Sequence, residues 1–220
     1  MCNLYTQTRA VEAMRQLFGD RLSDLTEPVL AEPTLFDAAP PVRFDIYPDY
    51  RSVIVRPEAE GRLVMERARW GMPTPPKYLE GKRVDKGVTN IRNTGSSHWR
   101  RWLGPAHRCL VPFERFAEPG PGGPPVFFRP ADGRPVFFAG MTTVWTSVRK
   151  LKEGEVTDRL FAFLTCDPNG DVGAIHPKAM PVILTEPEEW ETWLSAPWPV
   201  ASLLQRPLAD GVLEVEARAA

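Results

Sequence analysis

No apolar run in this 220-residue chain approaches the ~20 residues needed to cross a bilayer. The stretch after Met1 also lacks the basic-then-apolar order of a secretion signal. No membrane association is therefore expected, and the expected location is cytoplasmic, nucleoid-associated if the source is bacterial. Cysteine is scarce: Cys2, Cys109 and Cys166 complete the set. An odd count without a secretory start argues against a disulfide framework and for a reducing compartment. No Cys-x-x-Cys pair occurs, and the three histidines, His98, His107 and His176, lack metal-site spacing, which argues against a zinc site. The Gly-x-Gly-x-x-Gly, Walker and Gly-x-Ser-x-Gly patterns are missing too, so nucleotide-cofactor and serine-hydrolase readings lose their usual support. No cofactor is expected.

The remaining composition is that of a globular protein, 43% hydrophobic and 25% charged, with 24 prolines that stiffen connections and disfavour long helices. The net charge of −1 does not suggest a nucleic-acid binder, but its distribution is uneven. Residues 81–115 hold eight basic side chains against two acids, a concentration that fits a local phosphate-binding surface or a solvated face.

Cys2 is the most informative position. Loss of Met1, by an aminopeptidase or by self-cleavage, would leave a free α-amine beside the Cys2 thiol. Such a 1,2-aminothiol condenses with an aldehyde to a Schiff base, and the sulfur then closes a thiazolidine ring. Alternatively the thiol attacks a carbonyl with the amine as its base. Both groups titrate within reach of neutrality, at about 7.7–8.0 and about 8.5.

Along the chain, Leu4 and Tyr5 open a short extended segment. Thr8 reads as the cap of a helix carrying Ala10, Val11, Met14, Leu17 and Phe18, and Gly19 ends it. Residues 20–42 read as loop. Strands are predicted over 52–56, 62–72, 108–116, 160–166, 180–184 and 212–215, with a short helix over 97–103. Residues 126–128 and 135–141 flank Ala131-Asp132-Gly133 as a hairpin, and Asp167-Pro168-Asn169-Gly170 is a turn signal. Thr185 with Glu188 reads as a capping box before a helix that buries Trp190, Trp193 and Leu194. Cys109 and Cys166 sit in apolar strand patterns, as buried small hydrophobes do. Many short strands and few helices imply an α+β domain built mainly on antiparallel sheet, spanning 1–220 as one unit; that the sheet is barrel-like is what the family resemblance given below implies.

Five stretches in order carry a resemblance. They are Met1-Cys2, Arg69-Trp70-Gly71-Met72-Pro73, Asn90-Ile91-Arg92, Arg108-Cys109-Leu110-Val111-Pro112 through Glu118, and Ile175-His176 followed by Met180-Pro181-Val182-Ile183-Leu184. Over residues 2–194 the chain resembles the SOS response-associated peptidase family, whose members cross-link covalently to abasic sites in single-stranded DNA. The resemblance implies Cys2 as the covalent residue and Asn90 as the group orienting the terminal amine or the lesion. It implies Glu118 as acid/base in Schiff-base formation and His176 as the residue assisting opening of the deoxyribose ring. Arg92 would hold a DNA phosphate, and Arg69, Trp70, Arg100, Arg101 and Arg108 would add DNA contacts. The same machinery would help remove Met1, and the protein would act as a monomer without cofactor. The chain departs from the family pattern in reading Met-Cys-Asn-Leu at its start, in Ala117 and Pro119 around Glu118, and in a longer His176-to-Met180 spacing. Thr74-Pro75-Pro76-Lys77 stands where family members often carry base-stacking aromatics. Two other function classes compete. An N-terminal-nucleophile amidohydrolase or peptidase would act on a small amide or peptide, and Cys2-dependent release of ammonia from glutamine would favour it. A non-covalent nucleic-acid-binding module would bind DNA equally well without Cys2.

Overall fold

The computed structural model describes residues 2–7, 10–23 and 44–216. Thirteen strands follow in order: β1 (Leu4–Gln7), β2 (Phe44–Ile46), β3 (Arg51–Pro57), β4 (Leu63–Trp70), β5 (Asn90–Ile91), β6 (Arg108–Phe113), β7 (Arg115–Glu118), β8 (Val126–Pro130), β9 (Val136–Val148), β10 (Glu155–Cys166), β11 (Met180–Pro181), β12 (Ile183–Leu184) and β13 (Leu213–Val215). The α-helices are short: α1 (Ala10–Phe18), α2 (Gly170–Gly173), α3 (Pro187–Ser195) and α4 (Trp198–Ala201).

Five strands close on themselves. β3 pairs β4, β4 pairs β10, β10 pairs β9, β9 pairs β6, and β6 returns to β3. This ring is the barrel-like α+β fold anticipated above. A second sheet, ordered β13-β8-β7-β1-β2, packs beside it. Among the described strands, pairing is antiparallel except where β10 meets β4 and β5.

The barrel core is aromatic, and β1 is locked into it. The Tyr5 ring sits edge-on to Trp70, Phe138 and Phe163, with centroids 5.2, 5.6 and 6.1 Å away. Its hydroxyl donates to Ser52 Oγ at 2.6 Å, and Ser52 in turn donates to Gln7 Oε1 at 3.0 Å. Gln7 Nε2 reaches the carbonyls of Val53 and Pro112 at 3.2 and 3.0 Å. A four-residue strand near a chain terminus would ordinarily fray; these buried bonds hold it in place.

Several predicted elements differ in the structure. Residues 126–130 and 136–141 do not form a hairpin: β8 pairs with β7 and β13, whereas β9 pairs with β6, β10 and β12. The turn at Asp132-Gly133 passes the chain from one sheet to the other. The long hairpin is β9 with β10, whose turn region contains Gly154 at φ 72°. The strand expected over 135–141 continues to Val148, through Thr142, Thr143 and Thr146. The helix expected at 97–103 is a single 3₁₀ turn, Arg100–Trp102. The 180–184 strand splits at Val182, so β11 pairs β10 and β12 pairs β9. The capping box of α3 lies one residue later, formed by Glu186 and Glu189 with Pro187 inside the first turn; Trp190, Trp193 and Leu194 are buried as expected. The cap expected at Thr8 lies outside the described residues. Cys109 and Cys166 are buried. No helix among the described residues is long and apolar enough to cross a membrane.

Candidate active site

Three elements bring the candidate residues together at the open end of β1. Cys2 precedes β1 and is fully buried. β1 pairs with β7 in the register Leu4↔Ala117, which places Glu118 beside the Cys2–Asn3 peptide. On the other side, β5 runs along β10 with Asn90 opposite Phe163. The Asn90 side chain donates from Nδ2 to the Cys2 carbonyl at 2.9 Å and to Thr89 Oγ1 at 2.9 Å. His176 arrives after α2, whose Asn169 cap accepts from Val172 N at 3.0 Å, and its own amide bonds back to Val172 O at 2.7 Å. Its Nε2 lies 3.7 Å from Glu118 Oε2.

The electrostatics follow from burial. Glu118 is 1% exposed, and desolvation of its charged form pushes the carboxyl up to about 7. Burial drives the Cys2 thiol far above its ordinary range, and the neighbouring Glu118 carboxylate adds to the rise. His176 moves the other way, below the usual imidazole value, through burial and the nearby Lys178 cation. Burial therefore favours the protonated carboxyl, the neutral imidazole and the protonated thiol. Among the described residues no cluster of His, Cys, Asp and Glu could hold a metal ion.

The basic residues divide into two groups. Arg92, Arg100 and Arg101 are exposed; Arg92 pairs with Asp167, and the Arg101 guanidinium lies over the Trp102 ring at 5.1 Å. Arg69, Trp70 and Arg108, for which the resemblance implies DNA contacts, are buried. Arg69 is held by Asp49, Glu153 and Asp158. Arg108 donates to the carbonyls of Leu103, Trp193 and Ala196, acting as an internal cross-brace. Trp70 donates from Nε1 to Thr89 O at 3.0 Å and so fixes the residue before Asn90. Gly71, at φ 138°, is where the buried Arg149 side chain passes to reach Gly71 O and Lys86 O; a Cβ there would strike the guanidinium.

A family model matches residues 1–217 and is described as SOS response associated peptidase (SRAP). The chain belongs to the SRAP family. No curated protein matches it. Similar crystal structures include a protein from Bordetella bronchiseptica, 23% identical with a TM-score of 0.68 over 100% of both chains. Another is a protein from Bacteroides thetaiotaomicron, 19% identical with a TM-score of 0.71, covering 97% of this chain and 90% of that one. A phage-related protein from Bordetella bronchiseptica is 21% identical with a TM-score of 0.64, covering 98% and 93%. At these identities the likeness establishes a shared fold. Membership places this SRAP protein in a family of DNA-damage-associated peptidases.

Two features of this SRAP site had no sequence signal. Thr165 lies on β10 two residues beyond Phe163, and its buried hydroxyl has no hydrogen-bond partner among the described residues. Gln205, from the segment after α4, clasps three points: Nε2 donates to Arg92 O at 2.8 Å and Thr165 O at 2.9 Å, and Oε1 accepts from Thr94 Oγ1 at 3.0 Å. It ties the Asn90–Thr94 segment to the end of β10. Gln205→Ala leaves both carbonyls to find water and is expected to destabilise by about 1–3 kcal/mol. For a chain of this size that lowers Tm by roughly 2–10 °C. Thermal unfolding of the variant checks this, and an unchanged Tm would mean the clasp carries no load.

Proposed function

We propose that this SRAP protein, with Met1 removed, captures abasic sites in single-stranded DNA as a thiazolidine at Cys2. The observation that carries the reading is the convergence of Asn90, Glu118 and His176 on the residue that would bear the terminal amine. An abasic sugar is mostly a closed hemiacetal. Neutral His176 can take the C1 hydroxyl proton while protonated Glu118 delivers one to the ring oxygen, which frees the aldehyde. The amine adds to that carbonyl and passes its proton to the oxygen, giving a carbinolamine; Glu118, reprotonated by the His176 imidazolium, donates to the hydroxyl, which leaves as water, and then takes the proton from nitrogen, leaving the imine. The Cys2 sulfur then bonds to the imine carbon and its proton passes to nitrogen, so one water is lost overall. Asn90, anchored on the Cys2 carbonyl, orients the amine.

The raised thiol supports this order. A thiol kept protonated is a poor first attacker on an amide, which weighs against the amidohydrolase alternative. Adding sulfur to an activated imine demands less of it. Arg92, Arg100 and Arg101, exposed in the basic stretch, are assigned to the phosphates. Cleavage of the Met1–Cys2 peptide by the same groups is the associated peptidase activity. The test is incubation of protein of confirmed intact mass, lacking Met1, with an oligonucleotide bearing one abasic site. A denaturant-stable protein–DNA species is expected, its mass equal to the two components less one water. Its absence would overturn the reading.

A further inference from the structure

Two tyrosines stand exposed on a turn that the chemistry above does not use. Tyr47, Pro48, Asp49 and Tyr50 form a β-turn in which Tyr50 N donates to Tyr47 O at 3.0 Å. Proline takes the second position, and Asp49 takes the third at φ 72°, where glycine is usual. Asp49 is held there by its carboxylate. Arg69 donates to Oδ1 and Oδ2 at 2.7 and 2.8 Å, Arg149 Nε to Oδ1 at 3.1 Å, and Lys150 Nζ lies 3.1 Å from Oδ2. Backbone bonds add to the brace: Asp49 N donates to Trp70 O, and Trp70 N to Tyr50 O, each at 2.9 Å. On this turn the two rings sit 5.6 Å apart at 65°, with Tyr47 43% and Tyr50 55% exposed.

The turn adjoins the reactive end of the chain. β2 pairs with β1 in the register Tyr5↔Ile46, so Tyr47 follows directly on the strand alongside β1, the strand that Cys2 precedes. Trp70, bonded to the turn, bonds in turn to Thr89 beside Asn90. The surrounding charges are already paired within the protein: Lys150 on Asp49, and Arg51 on Asp158 at 2.6 Å. What the turn offers is therefore aromatic faces more than net charge.

We propose that Tyr47 and Tyr50 form a stacking platform for the nucleobases flanking the lesion. The platform takes the place of the aromatics absent from Thr74-Pro75-Pro76-Lys77. Base–aromatic stacking tolerates any sequence because every base has a π-face, which suits a protein that meets abasic sites in arbitrary context. The inference rests on the abasic-site reading of Cys2.

Fluorescein-labelled single-stranded oligonucleotides, with and without one abasic site, separate the two ideas. The double variant Tyr47→Ala/Tyr50→Ala is expected to bind both at least about 5-fold more weakly, while Tyr47→Phe/Tyr50→Phe stays within about 2-fold because the π-faces remain. The slope of log Kd against log salt should not change in either, since no phosphate contact is lost. A 2-aminopurine beside the lesion should be quenched by wild type and by the Phe pair, but not by the Ala pair. If wild type forms the covalent species and the Ala pair binds and quenches like it, the platform is overturned while the Cys2 reading stands. If no covalent species forms but the Ala pair loses affinity for intact strands, the platform stands and the Cys2 reading falls. A wild type that binds neither strand overturns both.

Discussion

Cys2→Ala is expected to reduce the denaturant-stable DNA adduct to background. The variant keeps a terminal amine after Met1 removal, so it can still form an imine with the abasic aldehyde. That imine hydrolyses on denaturation because no sulfur is present to close the ring. Borohydride added before denaturation should therefore trap a species with Cys2→Ala, whereas wild type needs no reductant. Protein that retains Met1 should form no species that survives denaturation without reductant, because its Cys2 nitrogen is a peptide nitrogen and its terminal amine has no adjacent thiol to close a ring. The comparison uses the intact masses of the three proteins and their gel-shifted fractions at equal DNA. An adduct that persists in Cys2→Ala without reductant would place the chemistry elsewhere. Cys2 is fully buried against β7 and Asn90, so the folding of each variant should be confirmed by thermal unfolding.

Glu118→Gln is expected to slow adduct formation by about 10²–10⁴-fold, the usual contribution of a positioned acid. The pH profile carries more information than the rate. Glu118, pushed up to about 7 by burial, donates only when protonated, so the wild-type rate falls as pH rises through that value. A free α-amine near 7.7–8.0 must be unprotonated to attack, so the rate also falls on the acid side. The product is a bell with its top between the two values. Gln removes the alkaline limb and leaves the acid limb. Stability has the opposite logic to a salt-bridged carboxylate. The folded protein holds the Glu118 proton more tightly than the unfolded chain, so this group's contribution is favourable below the ordinary carboxyl value, near 4.5. It is lost as pH rises from there through about 7. Glu118→Gln should flatten the pH dependence of stability across that window. A wild-type rate that keeps climbing above pH 8 would remove Glu118 from the acid role.

The parts of the molecule visible in the sequence were those with local patterning. β3, β4 and β6 are apolar runs, and α3 announces itself by Pro187 and its tryptophans. The site was legible only as an ordered set, because Cys2, Asn90, Glu118 and His176 are each unremarkable alone and meet through sheet register. Where local chemistry was ambiguous, tertiary context decided it. The surroundings of Arg69 were not legible locally, since Asp49, Glu153 and Asp158 reach it from separate segments of the chain. The Asp132-Gly133 turn looks like a hairpin because turn residues specify a reversal and say nothing about which sheet receives the next strand. Gln205 had no signal at all, since an amide in a proline-interrupted segment becomes meaningful only once Arg92 and Thr165 lie beside it.

The locking of β1 bears on how the protein matures. The bonds that seat it reach far along the chain, from Asn90 to Cys2 and from Gln7 to Pro112. Cys2 is thus sheltered by a segment 88 residues further along the chain, through Asn90. Until that segment is made, Cys2 lacks this partner and a processing enzyme can reach it. After β1 docks, Cys2 is sealed from one, and Met1 must by then have gone or be removed from within. The order of events on the nascent chain, rather than any later signal, would determine which molecules become competent to react.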